Sequence, residues 1–249
     1  APRRAPADII RSVKPTVVIL CGGRGTRLTE SARALPKPLV EIGGRPILWH
    51  VISIYLVQGF RRFLLLTGHR GAQIEEFVAG ERWPEGAEVR CLDTGEGTPT
   101  GGRLHRAAHA LDSDPVCVTY ADGVADVDLD ALLAYHSGHQ ASATMTVVRP
   151  RLQFGVAELN GDGVVRGFVE KPVSEQWVNG GFFCFDRQAL ALIGPDSVLE
   201  REPLVALAAR GELRAFRHEG FWACMDTYKD ALELDDLWAA DRAPWKLWS

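Results

Sequence analysis

The sequence has no long apolar run, no basic run longer than the pair Arg61-Arg62, and no Cys-x-x-Cys pair among its five cysteines. Because a membrane helix needs about 20 consecutive apolar residues, we expect a protein without membrane spans. A formal net charge of -4 and a pI near 6.0 argue against a nucleic-acid or membrane-surface binder. The scattered cysteines predict free thiols rather than disulfides or zinc ligands.

Residues 1–14 contain no signal-type apolar core and no clear period, so we predict an N-terminal arm and a cytoplasmic protein. A chain of 249 residues, 46% of them hydrophobic, is long enough to bury a sizeable core. We therefore expect a single domain over residues 1–249.

The glycine-rich segment at residues 21–28, Cys-Gly-Gly-Arg-Gly-Thr-Arg-Leu, matches neither of the two commonest phosphate loops. A P-loop is excluded because Gly25 is followed by Thr26 rather than Lys, and the dinucleotide fingerprint fails because Leu28 occupies its third glycine position. There is also no Ser-His-Asp or Cys-His signature. The seven histidines lack metal-ligand spacing, so we expect them to lie on the surface or to pack against helices.

The stretch around this segment still predicts phosphate binding. The β-branched, apolar residues 17–20 indicate a buried strand, and the glycines that follow allow backbone N–H groups to approach a bulky anion. Arg27 offers a planar fork for phosphate oxygens, and Lys37 is held between Pro36 and Pro38.

Strand-like and helix-like segments alternate over much of the chain, with a predicted helix at 103–111. This alternation predicts an α/β fold with a Rossmann-like, mostly parallel mixed sheet flanked by helices, whose ligands bind beyond the carboxyl ends of the strands. Small antiparallel β insertions are expected at 154–185, which contains a hairpin turn at 160–163, and at 213–226, where 213–222 is predicted to form an antiparallel pair.

Several long motifs in one order resemble the sugar-1-phosphate nucleotidyltransferase family, and within it the glucose-1-phosphate cytidylyltransferase branch. The motifs are Gly-Gly-x-Gly-Thr-Arg-Leu at 22–28 with Lys37-Pro38, and the segments 41–50, 100–104, 122–126 and 179–183. The resemblance implies the nucleotidyltransferase fold, with the β subregions at 154–185 and 213–226 on the sugar and metal side.

The activity that this resemblance implies is transfer of a cytidylyl group from CTP to a sugar 1-phosphate, with α-D-glucose 1-phosphate as the expected sugar. The implied cofactor is Mg²⁺, and the expected partners are CTP and the sugar phosphate, in a homo-oligomer. A phosphate monoester has a second pKa near ~6, so the nucleophile is mostly a dianion at neutral pH and needs no general base.

The resemblance also implies site residues. Arg27, Lys37 and Asp122 are the expected catalytic residues, and Asp122 and Asp226 the expected metal ligands. The expected nucleotide-binding residues are Leu20, Gly22, Gly23, Gly25, Thr26, Arg27, Lys37, Thr100, Gly101, Gly102, Arg103 and Asp122. The expected sugar-phosphate-binding residues are Glu170, Lys171, Asn179 and Gly180.

Some of these residues have simpler interpretations when the resemblance is set aside. Asp122 alone is more often a turn former, and Asp226 could equally cap the last helix. Glu170 and Lys171 alone would be an exposed ion pair, and Arg103 a surface residue of a helix.

Three alternative functions remain open at this point. A UTP- or dTTP-dependent enzyme would differ mainly at residues 100–103. A phosphocholine-type cytidylyltransferase would need an aromatic cage, which Trp177, Phe182 and Trp222 could supply. A noncatalytic nucleotide-sugar sensor should have lost one of the cations or carboxylates, all of which are present.

Overall fold

The computed structural model describes residues 13–23, 25 and 35–248, so nearly all of the predicted N-terminal arm lies outside the described residues. The strands of the described part are β1 (Val17–Leu20), β2 (Glu41–Ile42), β3 (Arg45–Pro46), β4 (Arg62–Thr67), β5 (Glu88–Asp93), β6 (Val116–Tyr120), β7 (Gly123–Ala125), β8 (Ala143–Val148), β9 (Val156–Leu159), β10 (Val165–Val169), β11 (Val178–Phe185), β12 (Leu213–Arg217) and β13 (Trp222–Cys224).

The helices of the same residues are α1 (Ile47–Val57), α2 (Gly71–Gly80), α3 (Thr100–Ala107), α4 (Leu129–Ser137), α5 (Arg187–Leu190), α6 (Glu202–Ala209) and α7 (Tyr228–Ala239). Short 3₁₀ helices lie at Lys37–Leu39 and Ala108–Ala110. No helix in the described part of the chain is both long and apolar enough to cross a bilayer.

Seven strands form the main sheet in the order β12-β8-β11-β6-β1-β4-β5. The pairs β6-β1, β1-β4, β4-β5 and β12-β8 are parallel, and β11 is antiparallel to both of its neighbours. The predicted mixed, mostly parallel sheet is therefore confirmed. Because the chain continues from β1 to β4 on one side and returns with β6 on the other, a crevice is expected beyond the carboxyl end of β1.

The central strands are apolar on both faces because both faces are covered. Successive residues of β1 alternate between two cores: Val17 and Ile19 pack on the side of α1, whereas Val18 packs on the side of Leu104 in α3. All four residues of β1 are buried. This continuous burial explains the runs of apolar residues that parallel strands show.

The predicted antiparallel pair over 213–222 is wrong. β12 pairs in parallel with β8 at the edge of the main sheet, whereas β13 pairs antiparallel with β7, next to Asp122. No residue of β12 is fully buried, which fits an edge strand, but its partner lies about 70 residues away in sequence, where no local pattern can indicate it.

Only part of the predicted insertion at 154–185 is separate from the main sheet. β9 and β10 form the expected two-stranded hairpin, while β11 joins the main sheet. Residues 180–185 are all buried, and a strand buried on both faces must lie inside a covered sheet rather than in an exposed hairpin.

Candidate active site

A cavity of about 610 Å³ opens beyond the carboxyl ends of β1 and β6. This volume lies within the usual range for small-molecule sites. Among the described residues, its walls are formed by Leu20, Cys21, Gly22, Gly23, Gly25, Lys37, Pro38, Glu96, Gly97, Thr98, Pro99, Thr100, Arg103, Tyr120, Ala121 and Asp122.

Most of the predicted nucleotide-binding residues line this cavity: Leu20, Gly22, Gly23, Gly25, Lys37, Thr100, Arg103 and Asp122. Thr26 and Arg27 lie outside the described residues, so their roles stay predictions. Gly25 has a φ of 58°, in the left-handed region that favours glycine, and an added Cβ would lie 3.1 Å from Cβ of Lys37.

Lys37 forms an ion-paired cluster with the two predicted metal ligands. Its Nζ lies 2.5 Å from Oδ2 of Asp122 and 2.7 Å from Oδ1 of Asp226. Burial opposes the charge of Lys37, but attraction to Asp122 and hydrogen bonds to both carboxylates outweigh burial and raise its pKa. Lys37 therefore carries a positive charge at neutral pH.

The two aspartates meet because their strands pair. Asp122 follows β6 directly before β7, Asp226 follows β13, and the backbone N–H of Met225 donates to the carbonyl of Asp122 at 2.9 Å. The last helix is capped by Thr227, which forms a capping box with Asp230. The cap is thus made by the neighbour of Asp226, and the carboxylate of Asp226 bonds to Lys37.

This cluster fits a divalent cation. One ligand atom from each of Asp122, Cys224 and Asp226 lies within 4.8 Å of the other two. Carboxylate oxygens are the ligands that hard cations such as Mg²⁺ prefer. The ammonium group of Lys37, bound between the same two carboxylates, is a cation already held by this donor set.

Arg103 links the chain segments that surround the cavity. It is 3% exposed, and its guanidinium donates to oxygens of three separate segments: Thr67 O at 2.7 Å, Thr94 Oγ1 at 2.7 Å, Gly95 O at 3.0 Å and Gly22 O at 2.8 Å. The expectation that it could be a surface residue is wrong. A Cβ at Gly22 would lie 2.0 Å from Cζ of Arg103, so this glycine makes room for the guanidinium.

Gly101 and Gly102 lie in the first turn of α3, which begins at Thr100 rather than at residue 103 as predicted. Neither is among the described residues that line the cavity. A Cβ at Gly101 would lie 2.7 Å from the carbonyl oxygen of Ser197, and one at Gly102 would lie 2.2 Å from that of Pro195. The glycine pair therefore allows residues 195–197 to pack on the helix, and its place at the nucleotide stays a prediction.

Sequence reasoning missed a chain of hydrogen bonds across the mouth of the cavity. Asn179 Nδ2 donates to Tyr120 Oη at 3.2 Å, and Tyr120 donates to Oε1 of Glu200 at 2.5 Å. The other carboxylate oxygen of Glu200 accepts from Thr100 Oγ1 at 2.7 Å. Burial and the neighbouring Glu200 raise the pKa of Tyr120, so its hydroxyl stays protonated. No motif marks Glu200, which in the sequence is one charge among several.

The predicted sugar-phosphate residues lie on β11 and at the end of the hairpin. None of the four is among the described residues lining the cavity, although Asn179 reaches Tyr120, which does. The carbonyl of Gly180 accepts from Nε1 of Trp222 at 2.8 Å. Glu170 packs against Gly155, and Lys171 is exposed with a φ of 45°.

Two of the three residues proposed for the aromatic cage of a phosphocholine-type enzyme have other partners. The ring of Trp177 already faces the guanidinium groups of Arg149 and Arg217, whose Cζ atoms lie 4.9 and 5.6 Å from its centre. Phe182 is 1% exposed and stacks on Tyr55 in the core. Two of the three residues are therefore already engaged in other contacts.

Comparisons with known proteins identify the family of this chain. A family model described as nucleotidyl transferase matches residues 16–212. The glucose-1-phosphate cytidylyltransferase of Salmonella typhimurium is 41% identical, with 93% of this chain aligned to 98% of that protein. The mannose-1-phosphate guanylyltransferase catalytic subunit beta of Drosophila pseudoobscura is 33% identical, with 86% of this chain aligned to 60% of that protein.

The crystal structure of HddC from Yersinia pseudotuberculosis, complexed with GMP-PN, superimposes with a TM-score of 0.69 over 90% of this chain and 100% of that one. At 21% identity this likeness shows a shared fold and no more.

Proposed function

The chain belongs to the nucleotidyl transferase family, and we propose that it transfers a cytidylyl group from CTP to a sugar 1-phosphate and releases pyrophosphate. The observation that carries the reaction class is the cluster of Lys37, Asp122 and Asp226 beside a cavity walled by the glycine loop. The near full-length similarity to a glucose-1-phosphate cytidylyltransferase supports CTP and α-D-glucose 1-phosphate as the substrates.

The reaction is an in-line displacement at phosphorus. An oxygen of the sugar phosphate forms a bond to the α-phosphorus of CTP, and the bond from that phosphorus to the bridging oxygen breaks, so that pyrophosphate leaves with the electron pair. Because the sugar phosphate is already mostly a dianion, the protein has no proton to remove. Its contribution is positioning and neutralisation of charge.

Lys37 is the residue that we place on the nucleotide phosphates. Its ammonium now bonds to two carboxylates at the cavity wall, and the side chain can transfer that charge to phosphate oxygens when the nucleotide enters. The backbone N–H group of Gly25 belongs to the phosphate cradle, and Arg27 is expected to add a guanidinium fork. Asp122 and Asp226 would hold Mg²⁺, which supplies Lewis-acid stabilisation of the phosphate charge when bound.

The sugar phosphate is assigned to the other side of the cavity. We propose that Lys171 aligns the attacking phosphate and that Glu170 accepts hydrogen bonds from sugar hydroxyls. Asn179 and Gly180 form the opposite wall, and the bond from Asn179 to Tyr120 links that wall to the nucleotide cavity.

The protein selects CTP over UTP by hydrogen bonds to the edge of the base. Cytosine presents an acceptor at N3 and a donor at its amino group, and uracil reverses both. Each reversed pair in a desolvated site costs roughly 1–3 kcal/mol, so two of them give a preference on the order of 30-fold to more than 1,000-fold. Since Gly101 and Gly102 face residues 195–197, we assign the base edge to the backbone of Gly22 and Gly23 and to the wall at 98–100.

Kinetics with four nucleotides test this function. We would measure pyrophosphate release and kcat/KM for CTP, UTP, dTTP and GTP with α-D-glucose 1-phosphate, and repeat the CTP series with other sugar 1-phosphates. Clear preference for CTP is the expected result. Equal values, or a preference for another nucleotide, would refute the cytidylyltransferase assignment while leaving the family membership intact.

The cellular setting and assembly are part of the same proposal. All five cysteines lie in the described part of the chain and are free thiols, as expected, which suits a cytoplasmic location. A homo-oligomer stays a prediction, and sedimentation of the purified protein tests it.

A further inference from the structure

A thiol lies beside the two carboxylates assigned to Mg²⁺, and the reaction described above gives it no role. Cys224 is the last residue of β13 and pairs with Gly123, the residue directly after Asp122. Its sulfur and one oxygen from each of Asp122 and Asp226 lie within 4.8 Å of one another. The backbone pairing of β7 with β13 therefore places a sulfur donor next to two oxygen donors.

The chemistry of this mixed donor set differs from that of a pure Mg²⁺ site. Mg²⁺ takes oxygen ligands in a strict octahedral geometry and gains little from sulfur. Zn²⁺ and Co²⁺ bind thiolate, imidazole and carboxylate together and tolerate fewer ligands. A set of two carboxylates and one thiol therefore favours these softer divalent cations.

Two further observations support a cation at this place. The ammonium of Lys37 is already bound to both carboxylates, so the local charge distribution accommodates a positive ion. Cys224 is half-buried rather than enclosed in the core, in contrast to Cys21, Cys117 and Cys184, and Asp122 lines the cavity through which an ion can enter.

We propose that Cys224 is a third metal ligand through which this site takes Zn²⁺ or Co²⁺ with higher affinity than Mg²⁺. The proposal rests on the proposed function for the identity of the two aspartates as metal ligands. On binding, a bond forms between the sulfur and the cation, and the thiol proton leaves to solvent. The ion must displace Lys37 from the carboxylates, which frees that lysine for the nucleotide phosphates.

The test is a titration of the purified, reduced protein with Co²⁺, without nucleotide. Thiolate bound to Co²⁺ gives a charge-transfer absorption in the near ultraviolet, and calorimetry gives the affinity for Co²⁺ and for Mg²⁺. The variants are Cys224→Ser and Cys224→Ala. Cys91→Ser is the matched control, because Cys91 is also half-buried but lies on β5. Circular dichroism establishes that each variant is folded.

We expect the absorption in the unmodified protein and in Cys91→Ser, and its loss in both Cys224 variants. The Co²⁺ affinity should fall by about 10- to 100-fold in those two variants, at least as much as the loss of an outer-shell partner costs. Their Mg²⁺ affinity should change by less than about threefold, because Mg²⁺ does not use the sulfur.

Absence of the absorption in the unmodified protein, or its persistence in Cys224→Ala, would overturn the proposal. Either result would leave the function intact if CTP is still turned over with Mg²⁺. Conversely, a Cys224-dependent absorption in a protein that turns over no nucleotide would uphold the thiol ligand and refute the function.

Discussion

The side of the candidate site that we assign to the nucleotide and the side that we assign to the sugar are built in opposite ways. Next to the nucleotide cavity, every residue of β1 is buried, and the loops are tied together by Arg103. On the sugar side, all four residues of β9 are exposed, as are four of the five residues of β10. Phe168, near the end of β10, is 63% exposed.

This contrast predicts whether a substitution will change the stability of the fold, the binding of a ligand, or both. A buried, hydrogen-bonded support affects both folding and binding, because its loss leaves polar groups unpaired in the interior. An exposed hairpin has few packing contacts to lose, so its residues should affect ligand binding alone. Four measurements test this difference, beginning with the largest expected effect.

The first measurement removes a carboxylate from the cluster. Asp122→Asn and Asp226→Asn should each lower turnover by about a thousandfold, equivalent to about 4 kcal/mol, because each change removes a carboxylate that we propose binds the metal. Thermal unfolding should show a folded protein in both cases. Near-normal turnover of either variant at saturating Mg²⁺ would contradict the metal assignment.

The second measurement compares two arginines on the same helix. Arg103→Met should lower the free energy of unfolding by about 3 kcal/mol or more, because several buried oxygens lose a charged donor. Arg106→Met is the matched control: Arg106 is exposed and donates to Thr94 O at 2.6 Å, so about 1 kcal/mol or less is expected. Urea titrations give both values, and equal losses would show that Arg103 does not support the cavity.

The third measurement tests how the free energy of unfolding depends on pH through the buried His50 of α1. His50 is fully buried, its Nε2 bonds to the carbonyl of Ile42 at 2.8 Å, and its Nδ1 accepts from Trp245 at 3.3 Å. Burial lowers the pKa of His50 to about 4. The unfolded chain, with a pKa near 6.5, therefore binds more protons between these values, and stability falls as the pH drops below about 6.5.

Between pH 7.5 and pH 5 this single group should remove about 2 kcal/mol of unfolding free energy. His50→Gln should flatten the pH profile in this window, whereas substitution of the exposed His109 by Gln should leave the profile unchanged. A profile that is equally steep without His50 would assign the pH dependence to other groups.

The fourth measurement tests the exposed side. Lys171→Ala should raise the KM for the sugar phosphate by about tenfold, the effect of one charged hydrogen bond near solvent, while the KM for CTP and the unfolding free energy stay unchanged. Lys229→Ala is the control, since Lys229 is exposed on α7 and pairs with Glu233. A larger effect on CTP than on the sugar phosphate would exchange the roles of Lys37 and Lys171.

The predictability of the site varies from residue to residue for a physical reason. Lys37 and Asp122 were found because each lies next to a strong local signal, a proline pair in one case and a buried strand in the other. Tyr120 and Glu200 were missed because their hydrogen bond joins residues 80 positions apart. The contact of Gly101 and Gly102 with residues 195–197 was missed, because a sequence shows that a close approach is needed but not which group approaches.

The sequence by itself determined the α/β class and most of the helices and strands, because periodicity and turn chemistry are local properties of the chain. The family followed from the resemblance of its motifs, which are also local. Only the tertiary structure decided that β12 lies parallel to β8, that β13 pairs with β7, and that Cys224 thereby meets Asp122 and Asp226. Strand pairing joins backbone groups that are alike in every residue. Partners distant in sequence are therefore chosen by the packing of the whole sheet.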